Sequence, residues 1–416
     1  MILGGVILFQ LATVIFSFVL IPILGRYKIG LWASLGVTAI LMGFLNGFGF
    51  MQLAEIFGSI VMSETSMNAI LTIALASVMG AMMKEYGILD KGIGGLSSLV
   101  NDKRYLVAIV PLLIGCIAVP GGAILSAPFI LNLGNELGME RPLSAVSNLV
   151  FRHMPMFILP YSASILVAAS ITDVSVMTFI VLNSIFILPV FFSGFFIYLR
   201  RVPTKKNEDK LPFSVGIKNL LKYTSPIYVC VIVHIVTGLP FYIAMLASML
   251  VLFIMSPDKK AYPKLFFKSI CLKTVLSAVG VFMIQVVVSN LDELLALFST
   301  IVESGAFMVV ALFLAAVFFG LITGFHMASV GFVLPMIMTL DLGHGEFLAL
   351  LYFVYCAAYF GYYFSPLHMC QIFTNQYMDV KMKSLYRIYV PFAAFVLGWL
   401  VVSYLVLSQI LPMIFG

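Results

Sequence analysis

Apolar runs separated by short polar stretches follow one another along almost the whole chain. Hydrocarbon about 30 Å thick takes about 20 helical residues to cross. On that measure the pattern predicts spans at about 4–24, 30–50, 66–86, 144–170, 175–199, 223–238, 240–256, 272–290, 346–376 and 384–412. Two stretches have a different rhythm. Residues 105–118 and 123–137 are too short to cross and flank "IAVPGGAILSAP". Residues 306–322 and 325–340 flank "TGFHMAS" in the same way. Apolar runs of that length, with polar residues at both outer ends, predict re-entrant hairpins at about 105–137 and 306–340. The expected fold is an all-α polytopic membrane protein of about ten transmembrane helices and two re-entrant hairpins.

Composition supports a bilayer as the solvent. Of 416 residues, 62% are hydrophobic and 10% charged, and the mean hydropathy is +1.13. The alternating ten-residue pattern of a membrane barrel is absent from the sequence. The first run has neither a basic leader nor a small-residue cleavage site, so it reads as a retained span. The net charge of +6 comes from loop lysines and arginines and gives no reason to expect nucleic acid. Basic loops at 200–210, 259–268 and 381–387 alternate with acidic positions such as Glu64, Asp292, Glu293, Glu303 and Glu346. With the basic loops in the cytoplasm, both termini fall outside and the central loop inside, in a multi-pass cell membrane protein (the inner membrane of a bacterial cell). The five cysteines lie scattered in apolar segments and read as small buried hydrophobes, with no disulfide frame and no metal site.

The chain divides into a first repeat (1–199), a basic linker (200–222) and a second repeat (223–416). Pro128 and Pro335 are 207 apart, Pro160 and Pro366 are 206 apart, Asp173 and Asp379 are 206 apart, and Gly30 and Gly238 are 208 apart. Five spans per copy is an odd number, so the second copy inserts upside down, the inverted symmetry of secondary transporters.

Candidate site residues cluster where the apolar pattern breaks. Pro120, Gly121 and Gly122 interrupt the first hairpin, and the helix that follows, with Ser126 in its first turns, offers free N–H groups to an anion. A packing kink is the plain alternative. Thr323, His326 and Ser329 mark the second tip; an ionisable group at such depth suggests function, although a backbone carbonyl can also satisfy a lone histidine. "PYSAS" holds Ser162 and Ser164, and "SPLHMCQIFTN" holds Ser365, His368, Thr374 and Asn375. Proline frees a carbonyl there, and such oxygens suit Na⁺ or a proton carrier, or simply knit helices together. Arg152 and His153 lie well inside a predicted span, where Arg152 is either a clamp for a carboxylate or an interfacial arginine snorkelling outward.

"VPGGAILSAPF" and "YYFSPLHMCQIFTNQYM" resemble an uncharacterised prokaryotic family of integral membrane proteins in the ion-transporter superfamily, alongside gluconate permeases and sodium–dicarboxylate symporters. Neither tip carries the symporters' Ser-Asn-Thr signature. The resemblance implies a mobile transport domain moving against a scaffold, an elevator-type architecture, and a homodimer. It places tips at Pro120–Gly122 and Thr323–His326, and broken helices at Ser162 and Ser365–His368. The expected function is secondary transport of a small organic anion, a carboxylate or sugar acid, coupled to H⁺ or Na⁺ with no other cofactor. The alternatives are an ion/H⁺ antiporter of the same architecture, or an intramembrane enzyme acting on lipid or peptide. The chain has no H-E-x-x-H and no G-x-S-x-G to support an enzyme.

Overall fold

The computed structural model describes residues 2–117, 122–208, 211–292, 294–296 and 306–415. Pro120 and Gly121 of the first tip, and the acidic positions Glu293 and Glu303, lie outside them. The chain is 82% helix. Among the described residues, strand-like pairing is confined to one antiparallel bridge between Asp102 and Lys206. Among the described residues, six helices are long and apolar enough to cross a membrane, or seven if the pair Tyr262–Lys268 and Leu272–Val288, bent by 44°, is one span. This is a multi-pass membrane protein.

Two of these helices form the interior. The apolar windows of His344–Tyr363 and Glu64–Glu85 are 83% and 67% buried, against 33% or less in the other four. Peripheral helices show exposed apolar stripes at helical spacing, such as Val181, Ile185, Leu188, Phe192 and Phe196. In water such a stripe would be a liability; in a bilayer it is the lipid-facing side. Interior contacts rely on small residues. Gly320 and Gly361 bring Ala306–Thr323 against His344–Tyr363 so closely that a Cβ on either glycine would overlap the neighbouring backbone.

Two expected spans are broken. Arg141–His153 runs into a short 3₁₀ turn, Met154–Phe157, and the helix resumes only at Ala163–Thr172. His344–Tyr363 stops, and a new helix begins at Met369–Met378. Pro155, Pro160 and Pro366 account for the breaks, since proline lacks the amide donor and pushes the residue before it out of helical conformation. Stretches read as loops also prove helical. Phe50–Met62 and Ile88–Leu99 are amphipathic pieces, the latter laid along Phe213–Thr237, where a Cβ on Gly95 would sit 2.7 Å from the Leu220 amide nitrogen. The basic linker docks onto the start of the first hairpin. Lys103 N donates to Lys205 O at 3.0 Å and Asn207 N to Asn101 O at 2.8 Å.

Asp173 (φ 55°) and Asp379 (φ 54°) each end a ten-residue helix in left-handed conformation. Lys28 (φ 62°) and Gly238 (φ 68°) each follow a 25-residue helix and precede a 15-residue one. Gly30 itself has φ −63° and caps the start of Leu31–Leu45.

Candidate functional site

Each broken helix packs against the hairpin of the other half. Ala163–Thr172 lies on His326–Ile337, and Met369–Met378 lies on Ala123–Glu136. Each break is also tied to its own hairpin. The Tyr161 hydroxyl donates to Cys116 O at 2.9 Å, and Ser365 Oγ donates to Leu321 O at 2.5 Å. These contacts gather most of the candidate residues into two neighbouring clusters.

The second tip forms the first cluster. Thr323 ends one arm and donates to Phe319 O at 2.7 Å. Gly324 turns the chain with φ 60°, so close to the other break that a Cβ would fall 2.7 Å from the Leu367 carbonyl carbon. His326 opens the returning arm with its Nε2 3.0 Å from Tyr355 O, which fixes Nε2 as the donor and leaves Nδ1 buried without a protein partner. Ser329 joins the arms through Ala316 O at 2.8 Å.

The second cluster straddles the halves. Residues 144–153 of the Arg141–His153 helix are all buried. Arg152 is only 8% exposed, so in this conformation it does not snorkel. It joins no ion pair among the described residues. Its Nη1 lies 3.9 Å from Cys370 Sγ, and its Nε is buried without a partner. His153 Nε2 lies 3.1 Å from His368 Nε2. Asn148 bridges the halves, donating to Ala123 O at 3.3 Å and Thr374 Oγ1 at 3.2 Å. Its Oδ1, and that of Asn375, have no protein partner. The Tyr362 ring lies 6.0 Å from His153, 4.3 Å from His368 and 6.0 Å from His326, so it links the clusters.

One protein-family profile matches the chain across residues 6–407. That family is described as protein of unknown function (DUF401). The chain belongs to this family. A comparison with curated proteins gives no match.

Other expected positions in this DUF401 member are quieter. Gly122 caps the Ala123–Glu136 helix, and Ser126 is buried with its Oγ 3.3 Å from Ala123 O, a bond within its own turn. Ser162 caps Ala163–Thr172 without a side-chain cap bond, and Ser164 is buried in that helix. The sequence reading passed over Asn148, Cys370, Gln371 and the tyrosines. Gln371 donates to the Tyr386 hydroxyl at 3.2 Å, and its Oε1 is unpartnered. The hydroxyls of Tyr355 and Tyr359 are buried without protein partners. A signal for the tyrosines was present: Tyr352, Tyr355, Tyr359 and Tyr362 recur at spacings of three and four, one face of a helix.

Proposed function

We propose that this protein is a secondary active transporter that moves a small organic anion, a carboxylate or sugar acid, across the cell membrane, coupled to H⁺ or Na⁺. The observation that carries the proposal is Arg152. A buried guanidinium is costly unless it is paired, and none of the ion pairs among the described residues includes it. An arginine fork suits a carboxylate in two-point contact. Arg152 stands beside the first turn of Met369–Met378, whose free N–H groups add partial positive charge. Broken helices with their ends at one place are the usual means of seating a solute within a bilayer.

The finer architecture is part of the proposal. Ten spans in two inverted repeats, two re-entrant hairpins, an elevator-type motion, a homodimer and membership of the ion-transporter superfamily form one coherent reading. The paired left-handed turns at Asp173 and Asp379 support the repeat. The packing of each break on the opposite hairpin supports a single mobile body holding the site. The central loop is cytoplasmic and both termini are external in this reading.

The test is counterflow in proteoliposomes preloaded with succinate or gluconate, with labelled anion outside, driven in turn by a Na⁺ gradient and a pH gradient. Saturable uptake that Arg152→Met abolishes is the expected result. Uptake no greater than in empty liposomes across a panel of carboxylates and sugar acids would remove the anion reading.

A further inference from the structure

Chemistry fixes the protons on the two facing histidines. His153 Nδ1 lies 2.6 Å from Leu149 O, and His368 Nδ1 lies 3.3 Å from Tyr363 O. A carbonyl oxygen only accepts, so each Nδ1 carries the proton of a neutral ring. Both Nε2 atoms are then bare lone pairs, 3.1 Å apart in a buried place. Two acceptors at that distance repel unless something electrophilic lies between them. A third donor is at hand: Cys370 Sγ and one ring nitrogen of each histidine all lie within 4.8 Å of one another.

We propose that His153, His368 and Cys370 form a binding site for a divalent transition-metal ion, best suited to Zn²⁺ or Co²⁺. Imidazole nitrogens about 2.0–2.1 Å from a tetrahedral zinc ion sit about 3.3 Å from each other, close to the observed separation. The imidazole protons given to backbone carbonyls are the usual outer support for metal-bound histidine, holding the tautomer that points Nε2 at the ion. Cysteine binds as the thiolate, losing one proton to water as the metal–sulfur bond forms. The Arg152 guanidinium faces that sulfur, so the new negative charge is met on one side by the ion and on the other by arginine. Cys370 is part-exposed, so its sulfur is not sealed in the core. Three protein ligands leave a fourth position for water or another donor. The site goes beyond the transport reading and does not depend on it.

The test uses tag-free, full-length protein in detergent, titrated with CoCl₂ and followed by visible and near-ultraviolet absorption. One equivalent should bind, with the d–d bands of tetrahedral cobalt and a sulfur-to-cobalt charge-transfer band, and ZnCl₂ should displace it. Cys370→Ser should lose the charge-transfer band, whereas Cys271→Ser should keep it. His153→Ala and His368→Ala should each raise the Kd for cobalt at least ten-fold, read on protein that elutes as the parent does. Absence of stoichiometric binding by the parent, or an unchanged spectrum in Cys370→Ser, would overturn the site. Anion counterflow is read separately after the same protein is reconstituted into liposomes, so a failed metal titration leaves the transport result standing.

Discussion

Replacing Arg152 by methionine separates the cost of this charge from its use. The side chain is buried, joins no ion pair among the described residues, and has a single long contact to sulfur. Methionine has a similar length and no charge. Exchanging buried charges for apolar groups of similar volume is often neutral or stabilising by about 1–4 kcal/mol. Without ligand, the Arg152→Met protein should therefore unfold at the same temperature as the parent or higher. Binding should respond in the opposite direction. One hydrogen bond to a charged group contributes about 1.5–3 kcal/mol, so losing one weakens anion affinity roughly 10- to 150-fold, and losing a two-point contact weakens it more. Arg152→Lys keeps the charge but not the fork, and should fall between the two. Thermal unfolding of detergent-purified protein, with and without succinate or gluconate, measures both effects. A variant that is strongly destabilised yet keeps the full anion-induced shift would refute the reasoning, because Arg152 would then be a structural group with an unrecognised partner.

Three further outcomes are expected. Gly324→Ala should cost about 1–2 kcal/mol for the left-handed backbone alone, and more for overlap with Leu367, so uptake should collapse while Gly398→Ala, in open space, leaves it unchanged. Tyr359→Phe removes a buried hydroxyl without a protein partner; thermal stability should be unchanged or higher, and a fall in uptake would mark that hydroxyl as a substrate contact. Asp102 caps the Lys103–Gly115 helix outside the membrane; burial raises its pKa, but hydrogen bonds and charge from Arg104 outweigh this and hold it below the usual carboxylate range. A lowered folded pKa contributes stability that is present above about pH 3.9 and lost as pH falls through the folded value, so Asp102→Ala should destabilise by about 0.5–2 kcal/mol at pH 7 and match the parent in strong acid, as unfolding at both pH values will show.

The membrane class and the sites of the breaks were legible in the sequence, because length, hydropathy and proline act locally. Pro160 and Pro366 marked interruptions that the structure places at residues 158–162 and 364–368. Helix boundaries within polar stretches were not legible. Ile88–Leu99 contains Gly92, Gly94 and Gly95, poor helix formers on their own, and is held by packing on Phe213–Thr237. The partners of the site residues were hidden for a stronger reason. His153 and His368 are 215 positions apart, and Cys370 reads as an apolar filler until the fold carries it to them. Their meeting depends on the exchange in which each break rests on the opposite hairpin, and no local pattern encodes that.

Asn148 is where the exchange and the site meet, and it supplies the sharpest remaining test. It holds Ala123 of one half and Thr374 of the other, and stands one helical turn before Arg152. Asn148→Ala breaks both bonds and leaves buried groups unpaired, at about 1–3 kcal/mol for each, so it should destabilise. Asn148→Asp is different. An acid four residues before an arginine faces it on a helix, in the favourable order for an ion pair. The new carboxylate would take the guanidinium that the transport reading reserves for a substrate. Asn148→Asp should therefore offset part of its lost donor bonds, and it should also abolish the thermal shift given by succinate or gluconate. Adding Arg152→Met to Asn148→Asp should then lower stability, whereas the same change in the parent leaves it level or raises it. That reversal of sign is readable in a double-mutant cycle of unfolding temperatures. If Asn148→Asp binds anion as well as the parent, or the cycle is additive, Arg152 is not free to accept a carboxylate and the anion site must lie elsewhere.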